Sequence, residues 1–149
     1  MITPQGSIIL VEDDPDLMAT ISAYLETSGF SVVCAENGDK ALRILDHYVP
    51  DVAVVDLSLP DVNGTRVCEK IKTCESLKST LIIMISGSVR LHDRLAGYLS
   101  GASKYLSKPF DMEDLIVNIQ RLMLGRGVRA ASFFDHAARA AGVDAAEFS

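Results

Sequence analysis

Three unbroken apolar runs punctuate the chain: "IILV" (Ile8–Val11), "VAVV" (Val52–Val55) and "LIIMI" (Leu81–Ile85). None alternates with polar residues, so each reads as a strand covered on both faces. "SVVCA" (Ser31–Ala35) and "KYLS" (Lys104–Ser107) are shorter candidates for the same sheet. Between these runs the apolar spacing turns helical. Leu17, Ile21, Tyr24 and Leu25 share one face, closed by Gly29; Ala41, Leu42, Ile44 and Leu45 begin a second face, and Val67 and Ile71 mark a third. The segment from about Val89 to Leu99, weakened by Gly97, reads as a fourth helix, and Leu115, Ile119 and Leu122 give a fifth. Five strands alternating with five helices predict an α/β fold, a parallel sheet with helices on both faces and right-handed crossovers. The pattern ends near Leu124. "GRG" (Gly125–Gly127) reads as a helix stop and hinge, so the expected division is one domain over 1–124 and a C-terminal extension over 125–149.

Composition fits that picture. A chain of 149 residues that is 48% hydrophobic suits one compact domain with a sizeable core. The net charge of −6 weighs against a generic affinity for nucleic acid or anionic membrane. Cys34, Cys68 and Cys74 are odd in number and lack metal-ligand spacing, which points to free thiols in a reducing compartment. "MITPQGS" lacks the basic start and apolar core of a secretory signal, and the apolar runs are too short for a bilayer span. A soluble, cytoplasmic protein is expected, with no direct nucleic-acid binding and no membrane association.

The strand ends carry the chemistry. The first run exits into Glu12-Asp13-Asp14, the third strand into Asp56 and the fourth into Ser86; the fifth is followed by Lys108-Pro109. In an open parallel sheet these positions share the carboxyl edge, where such folds place their ligands. Glu12, Asp13 and Asp56 would crowd three negative charges, each pair at about 5 Å costing roughly 3 kcal/mol at an effective dielectric near 20. A hard divalent cation such as Mg²⁺ (or Mn²⁺) relieves that repulsion. The expected ligands are Asp13, Asp56 and the backbone carbonyl of Ser58, with Glu12 acting through a bound water. Asp14 precedes Pro15 and reads first as a helix N-cap, with metal binding as the alternative. Asp56 then becomes a candidate nucleophile towards a phosphoryl group, giving an acyl phosphate. Lys108 would neutralise charge on the phosphoryl oxygens, and Ser86 would donate a hydroxyl hydrogen bond to the same group.

With "IILVEDD", "VVDLSLPDVNG", "MISG" and "KYLSKPF" in this order and separation, the chain from about Ser7 to Leu124 resembles the receiver domain of two-component response regulators. The resemblance implies a flavodoxin-like doubly wound sheet of order 2-1-3-4-5. It implies that Asp56 accepts a phosphoryl group from a sensor histidine kinase or a histidine phosphotransfer protein. Glu12 and Asp13 match the family's acidic pair, Ser86 its hydroxyl position, Lys108 its lysine and Tyr105 its aromatic switch position. Phosphorylation in the family draws the hydroxyl residue and the aromatic ring inward and alters the face formed by the fourth helix, fifth strand and fifth helix. Lys108-Pro109 looks like the family's cis peptide, and Gly64 like a glycine needed for a tight turn after Asp56. Ser86 stands where threonine is commoner and Gly87 where alanine is usual. Gly97 costs about 1 kcal/mol within a helix relative to alanine, which predicts a mobile fourth helix.

An enzyme of the haloacid dehalogenase type would need a second aspartate two residues after the nucleophile, where Ser58 stands. What remains is a signalling switch that catalyses its own phosphorylation and dephosphorylation, with an output protein the sequence does not name. The alternatives are a pseudo-receiver that binds partners without phosphorylation and the receiver portion of a larger transcription factor or hybrid kinase. In the extension, Phe133, Phe134, Ala137, Ala138 and Ala141 form a helical stripe with Ser132 and Asp135 in capping-box spacing. Self-packing, partner docking and homodimerisation are all compatible with that stripe.

Overall fold

Burial on both faces is what the unbroken apolar runs achieve in the computed structural model, which describes residues 5–62, 64–87 and 101–127. The strands β1 (Ser7–Val11), β2 (Ser31–Ala35), β3 (Val52–Asp56), β4 (Leu81–Ser86) and β5 (Lys104–Ser107) form one parallel sheet of order β2-β1-β3-β4-β5. The helices are α1 (Pro15–Thr27), α2 (Gly38–Leu45), α3 (Gly64–Thr73) and α4 (Met112–Gly127), with a 3₁₀ turn at Glu75–Leu77. Successive strand residues point to opposite faces. Ile9, Val11, Ala53, Val55, Ile82 and Met84 therefore pack in one cluster with Ala41 and Leu45 of α2 and Val67, Cys68 and Ile71 of α3. Ile8, Leu10, Val52, Val54, Ile83 and Ile85 pack in the other, with Ile21 and Leu25 of α1 and Leu115 and Ile119 of α4. Each such side chain contributes about 1.5–3 kcal/mol when fully withdrawn from water, and neither face can spare a polar residue.

Local chemistry sets where α1 starts and stops. Asp14 Oδ1 accepts the N–H groups of Asp16 (3.0 Å) and Leu17 (3.3 Å), and Pro15 occupies the first turn, so Asp14 is the N-cap. At the other end Gly29 takes φ +101°, a left-handed value that favours glycine. The Gly29 N–H donates to the Glu26 carbonyl (3.0 Å) and the Phe30 N–H to that of Leu25 (3.1 Å), a Schellman closure.

Three boundaries differ from the sequence pattern. The strands β3 and β4 each run one residue further, taking in Asp56, in register with Ile85, and Ser86, in register with Ser107. A polar residue ends a hydrophobic run without ending the ladder, because the parallel neighbour still offers its backbone groups. Likewise "GRG" does not stop the last helix, the predicted fifth, which continues through Gly127. Gly125 stays helical at a cost of about 1 kcal/mol, too little by itself to break a helix. The boundary expected after Leu124 thus falls inside α4. The predicted fourth helix with Gly97, and the stripe from Ser132 to Ala141, lie outside the described residues.

Gly64 opens α3 directly beneath the end of β3. A Cβ there would lie 2.2 Å from the Asp56 carbonyl oxygen and 2.9 Å from Leu57 Cα, and the Gly64 N–H donates to the Leu57 carbonyl (3.0 Å). The glycine is needed for this close approach and not for a left-handed turn. Among the described residues, a Cβ at Gly87 would meet nothing within 4 Å. Gly64→Ala is accordingly expected to destabilise the fold by about 2 kcal/mol, the scale of overpacking. Gly87→Ala should stay within about 0.5 kcal/mol of wild type. Urea denaturation midpoints check both.

Candidate functional site

The sheet delivers four predicted residues to its carboxyl edge. Glu12 follows β1, Asp56 ends β3, Ser86 ends β4, and Lys108 follows β5. Glu12, Asp56 and Ser86 are buried, whereas Asp13 is exposed. One carboxylate oxygen from each of Glu12, Asp13 and Asp56 lies within 4.8 Å of the others. The Lys108 ammonium sits between the two buried acids, 2.7 Å from Glu12 Oε1 and 2.9 Å from Asp56 Oδ2. Asp56 Oδ1 accepts the Ser58 N–H (2.9 Å), and Glu12 Oε2 accepts the Asp14 N–H (3.1 Å). The Lys108 N–H donates to the Ser86 carbonyl (2.7 Å), tying the lysine to the end of β4. The Lys108-Pro109 peptide is cis, as the resemblance implies.

The charges do not balance among the described residues. One ammonium faces three carboxylates, and burial pushes the Glu12 carboxyl above the ordinary glutamate range; Lys108 and the Asp14 N–H offset this only in part, and the Asp56 charge adds to it. Burial alone would lower the Lys108 pKa, but its contacts with Glu12 and Asp56 outweigh burial and hold it above the usual lysine value. Lys108 therefore remains an ammonium. Among the described residues Glu12 Oε1 has no hydrogen-bond partner, only the ion-pair contact with Lys108. A compact, oxygen-only set of three carboxylates suits a hard divalent cation, so the residues present fit one.

The remaining predicted residues fall as follows. Asp14 is committed to the N-cap and stands outside the acidic cluster. The exposed Ser58 lies beside Asp56, reached through its N–H. Tyr105 is buried although β5 is an edge strand, and it shares a cluster with Cys68, Ile71, Leu77 and Met84. Cys34, Cys68 and Cys74 are free thiols; burial pushes Cys68 up to about 12, which makes it inert. Asp61 and Gly38 are absent from the sequence-predicted set, yet they join the loop after Asp56 to α2. The Gly38 N–H donates to Asp61 Oδ1 and the Asp39 N–H to Oδ2, both at 2.9 Å. No local signal marks this pair, because donors and acceptor are 22 and 23 positions apart.

No helix among the described residues is long and apolar enough to cross a membrane. The sequence model of the response regulator receiver domain matches residues 8–120. The chain is 32% identical over 116 residues to the DNA-binding dual master transcriptional regulator RpaA of Synechocystis sp., covering 78% of this chain and 48% of that protein. It spans about half the length of the curated relatives it matches first. Among solved structures it is similar to a CheY-like response regulator receiver domain protein from Methanospirillum hungatei (TM-score 0.77, 26% identity, 81% of this chain and 95% of that one). It is also similar to the receiver domain of a Pseudomonas aeruginosa sensor histidine kinase solved with a magnesium ion in its active site cleft (TM-score 0.73, 29% identity, 78% of this chain and 96% of that one). With its 2-1-3-4-5 sheet and the acidic cluster at its edge, the chain belongs to the response regulator receiver domain family.

Proposed function

We propose that Asp56 is the phosphoacceptor of this receiver domain, taking a phosphoryl group from a phosphohistidine on a sensor histidine kinase or phosphotransfer protein. The observation that carries the reading is the Asp56 carboxylate itself, buried at a strand end with Lys108 on one oxygen and the Ser58 N–H on the other. A carboxylate so held cannot rotate away from an incoming phosphorus atom. Its oxygen forms the new P–O bond as the P–N bond to the donor imidazole breaks, and the imidazole leaves with the bonding pair.

Glu12, Asp13, Asp56 and the Ser58 carbonyl would hold Mg²⁺ or Mn²⁺. A bound ion supplies positive charge against the phosphoryl oxygens and the clustered carboxylates. Lys108 contributes its ammonium at the Asp56 oxygen, where charge builds during transfer. Ser86, buried at the end of β4, supplies the hydroxyl that reads the phosphoryl group, and Tyr105 relays its movement to the β5–α4 surface. Hydrolysis of the acyl phosphate by water would use the same groups, so the domain resets itself without an external substrate. A cytoplasmic setting and a partner-binding output through the β5–α4 side go with this reading. The segment 125–149 acts as an extension of the domain, and two copies could associate through it.

Incubation with acetyl phosphate should give a phosphoryl adduct by intact mass that requires Mg²⁺ and is lost in Asp56→Asn. Failure of wild type to gain the adduct, together with failure to bind beryllofluoride, would favour a pseudo-receiver. Lys108→Ala should slow adduct formation about a hundredfold, the scale for losing one preorganised charge donor. The same change should tighten Mg²⁺ binding in calorimetry, because it removes a cation from the cluster.

The direction of the Glu12 shift sets a pH dependence. A carboxyl whose folded pKa lies above its unfolded value favours the folded state in its neutral form. That contribution is present below the ordinary glutamate pKa and lost as pH rises through the folded value. Glu12→Gln keeps the neutral form throughout. It should therefore raise the Tm of the metal-free protein at about pH 8 and lose that advantage near pH 4. Saturating Mg²⁺ should reverse the order at the higher pH, since the ion stabilises whichever protein it binds more tightly.

A further inference from the structure

The first turn of α2 has its backbone donors satisfied in an unusual way. Helix N-termini leave N–H groups without intrahelical partners. Here the Lys40 N–H donates to the Asn37 side chain (2.8 Å) and the Ala41 N–H to the Asn37 carbonyl (3.2 Å), as in an ordinary N-cap. The two donors ahead of them, Gly38 and Asp39, go to the two oxygens of Asp61, one each at 2.9 Å. Asp61 belongs to the segment between Asp56 and α3. The Asp39 N–H, followed by that of Gly38, holds its carboxyl below the usual aspartate range, so it is ionised at neutral pH. A negative charge at a helix N-terminus is favourable, and hydrogen bonds to a carboxylate are the stronger kind. Contact is closed on the other side by Gly38, where a Cβ would lie 2.7 Å from Val62 Cβ and 3.1 Å from the Val62 carbonyl oxygen.

The same segment is anchored at its start and end. The Leu57 N–H donates to the Ile85 carbonyl (2.9 Å), the Ser58 N–H to Asp56 Oδ1 (2.9 Å), and the Gly64 N–H to the Leu57 carbonyl (3.0 Å). Between Ser58 and Gly64, Leu59 packs against the first core cluster, and the Asp61 clasp ties the segment to the N-terminus of α2. Ser58 orients the Asp56 carboxylate through its N–H, and its own carbonyl is a proposed cation ligand. We infer that Asp61, clasped on the N-terminus of α2, is a positioning residue for the cation and phosphoryl site, holding the Ser58 backbone where that site needs it. The inference rests on the phosphoacceptor reading of Asp56. It also makes α2 a support of the site, although α2 contributes no side chain to it.

Asn37 provides the control, because its side chain caps the same helix by accepting the Lys40 N–H. Asp61→Ala and Asn37→Ala both remove a cap and should lower stability comparably in urea. Only Asp61→Ala should weaken Mg²⁺ binding, by about tenfold in calorimetry, the lower scale for losing a group that orients a metal ligand. It should also slow phosphorylation by acetyl phosphate at limiting Mg²⁺, with the rate recovering at saturating Mg²⁺. Gly38→Ala, which lifts the loop through Val62, should reproduce the loss. Equal Mg²⁺ affinities in the Asp61 and Asn37 variants, or equally weakened ones, would overturn the inference. If wild type neither binds Mg²⁺ nor takes a phosphoryl group, the functional reading itself fails. Amide exchange of Ser58–Val62 then judges the clasp alone: faster exchange in Asp61→Ala than in Asn37→Ala upholds it, and equal exchange removes it.

Discussion

Repulsion between carboxylates gathered at one end of a hydrophobic sheet is the constraint around which the rest of this domain is arranged. Glu12 and Asp56 are buried, and Asp13 stands next to them. Acids so placed would ordinarily protonate or push apart. Lys108 bridges the two buried acids and the backbone supplies a donor to each, which offsets the repulsion in part and leaves Glu12 with a raised pKa. Every one of these groups is tied to a strand. A parallel sheet with both faces packed is stiff enough to hold like charges closer than they would sit in solution, and that stiffness comes from the two apolar clusters. Core and site are thus one mechanical system. The electrostatic tension left over at that edge is what the proposed cation and phosphoryl group would relieve.

Much of this was legible in the residues. The runs at Ile8, Val52 and Leu81 could be read as strands because they are too apolar to have a wet face, and they bury both faces in the structure. Asp56 and Lys108 could be singled out because a charge at the end of such a run needs a reason. Asp14-Pro15 announced its own cap, since both partners are within three residues. What was not legible depends on distance along the chain. The bond from Asp61 to Gly38 and Asp39 has no sequence signature. The need for Gly64 looks like a turn requirement in the sequence, yet it is a contact between the start of α3 and the Asp56 carbonyl. Tyr105 illustrates the same limit. An edge strand suggests half exposure, yet the ring is buried in the cluster that holds Ala102, Met84 and the α3 face.

The parts of the site also differ in how they are supported. Glu12, Asp56 and Ser86 inherit their positions from the β-ladder, whose hydrogen bonds cooperate across five strands. Lys108 depends on β5, a strand with one neighbour, and on its own bond to the Ser86 carbonyl. The loop beyond Asp56 depends on separate hydrogen bonds, one of them to a helix. A graded support of this kind places rigidity at the buried acids and leaves compliance where the proposed phosphoryl group and its readers would enter and leave.

The parallel register of β4 and β5 carries a consequence for how this chain can vary in length. Ser86 pairs with Ser107, and Lys108 is the next residue. One residue inserted or deleted within β5 would turn its side chains to the opposite face and carry the lysine about 3.3 Å along the strand. The hydrophobic layers could absorb such a slip more readily than the acidic cluster, which would lose its only cation among the described residues. At the amino ends of the strands, Asp51 accepts from Ser7 and Thr80 donates to the Pro50 carbonyl, but no cluster of acids among the described residues depends on the count. Natural or engineered insertions should therefore accumulate at that end of the sheet, and the spacing from Lys104 to Lys108 should behave as a fixed ruler.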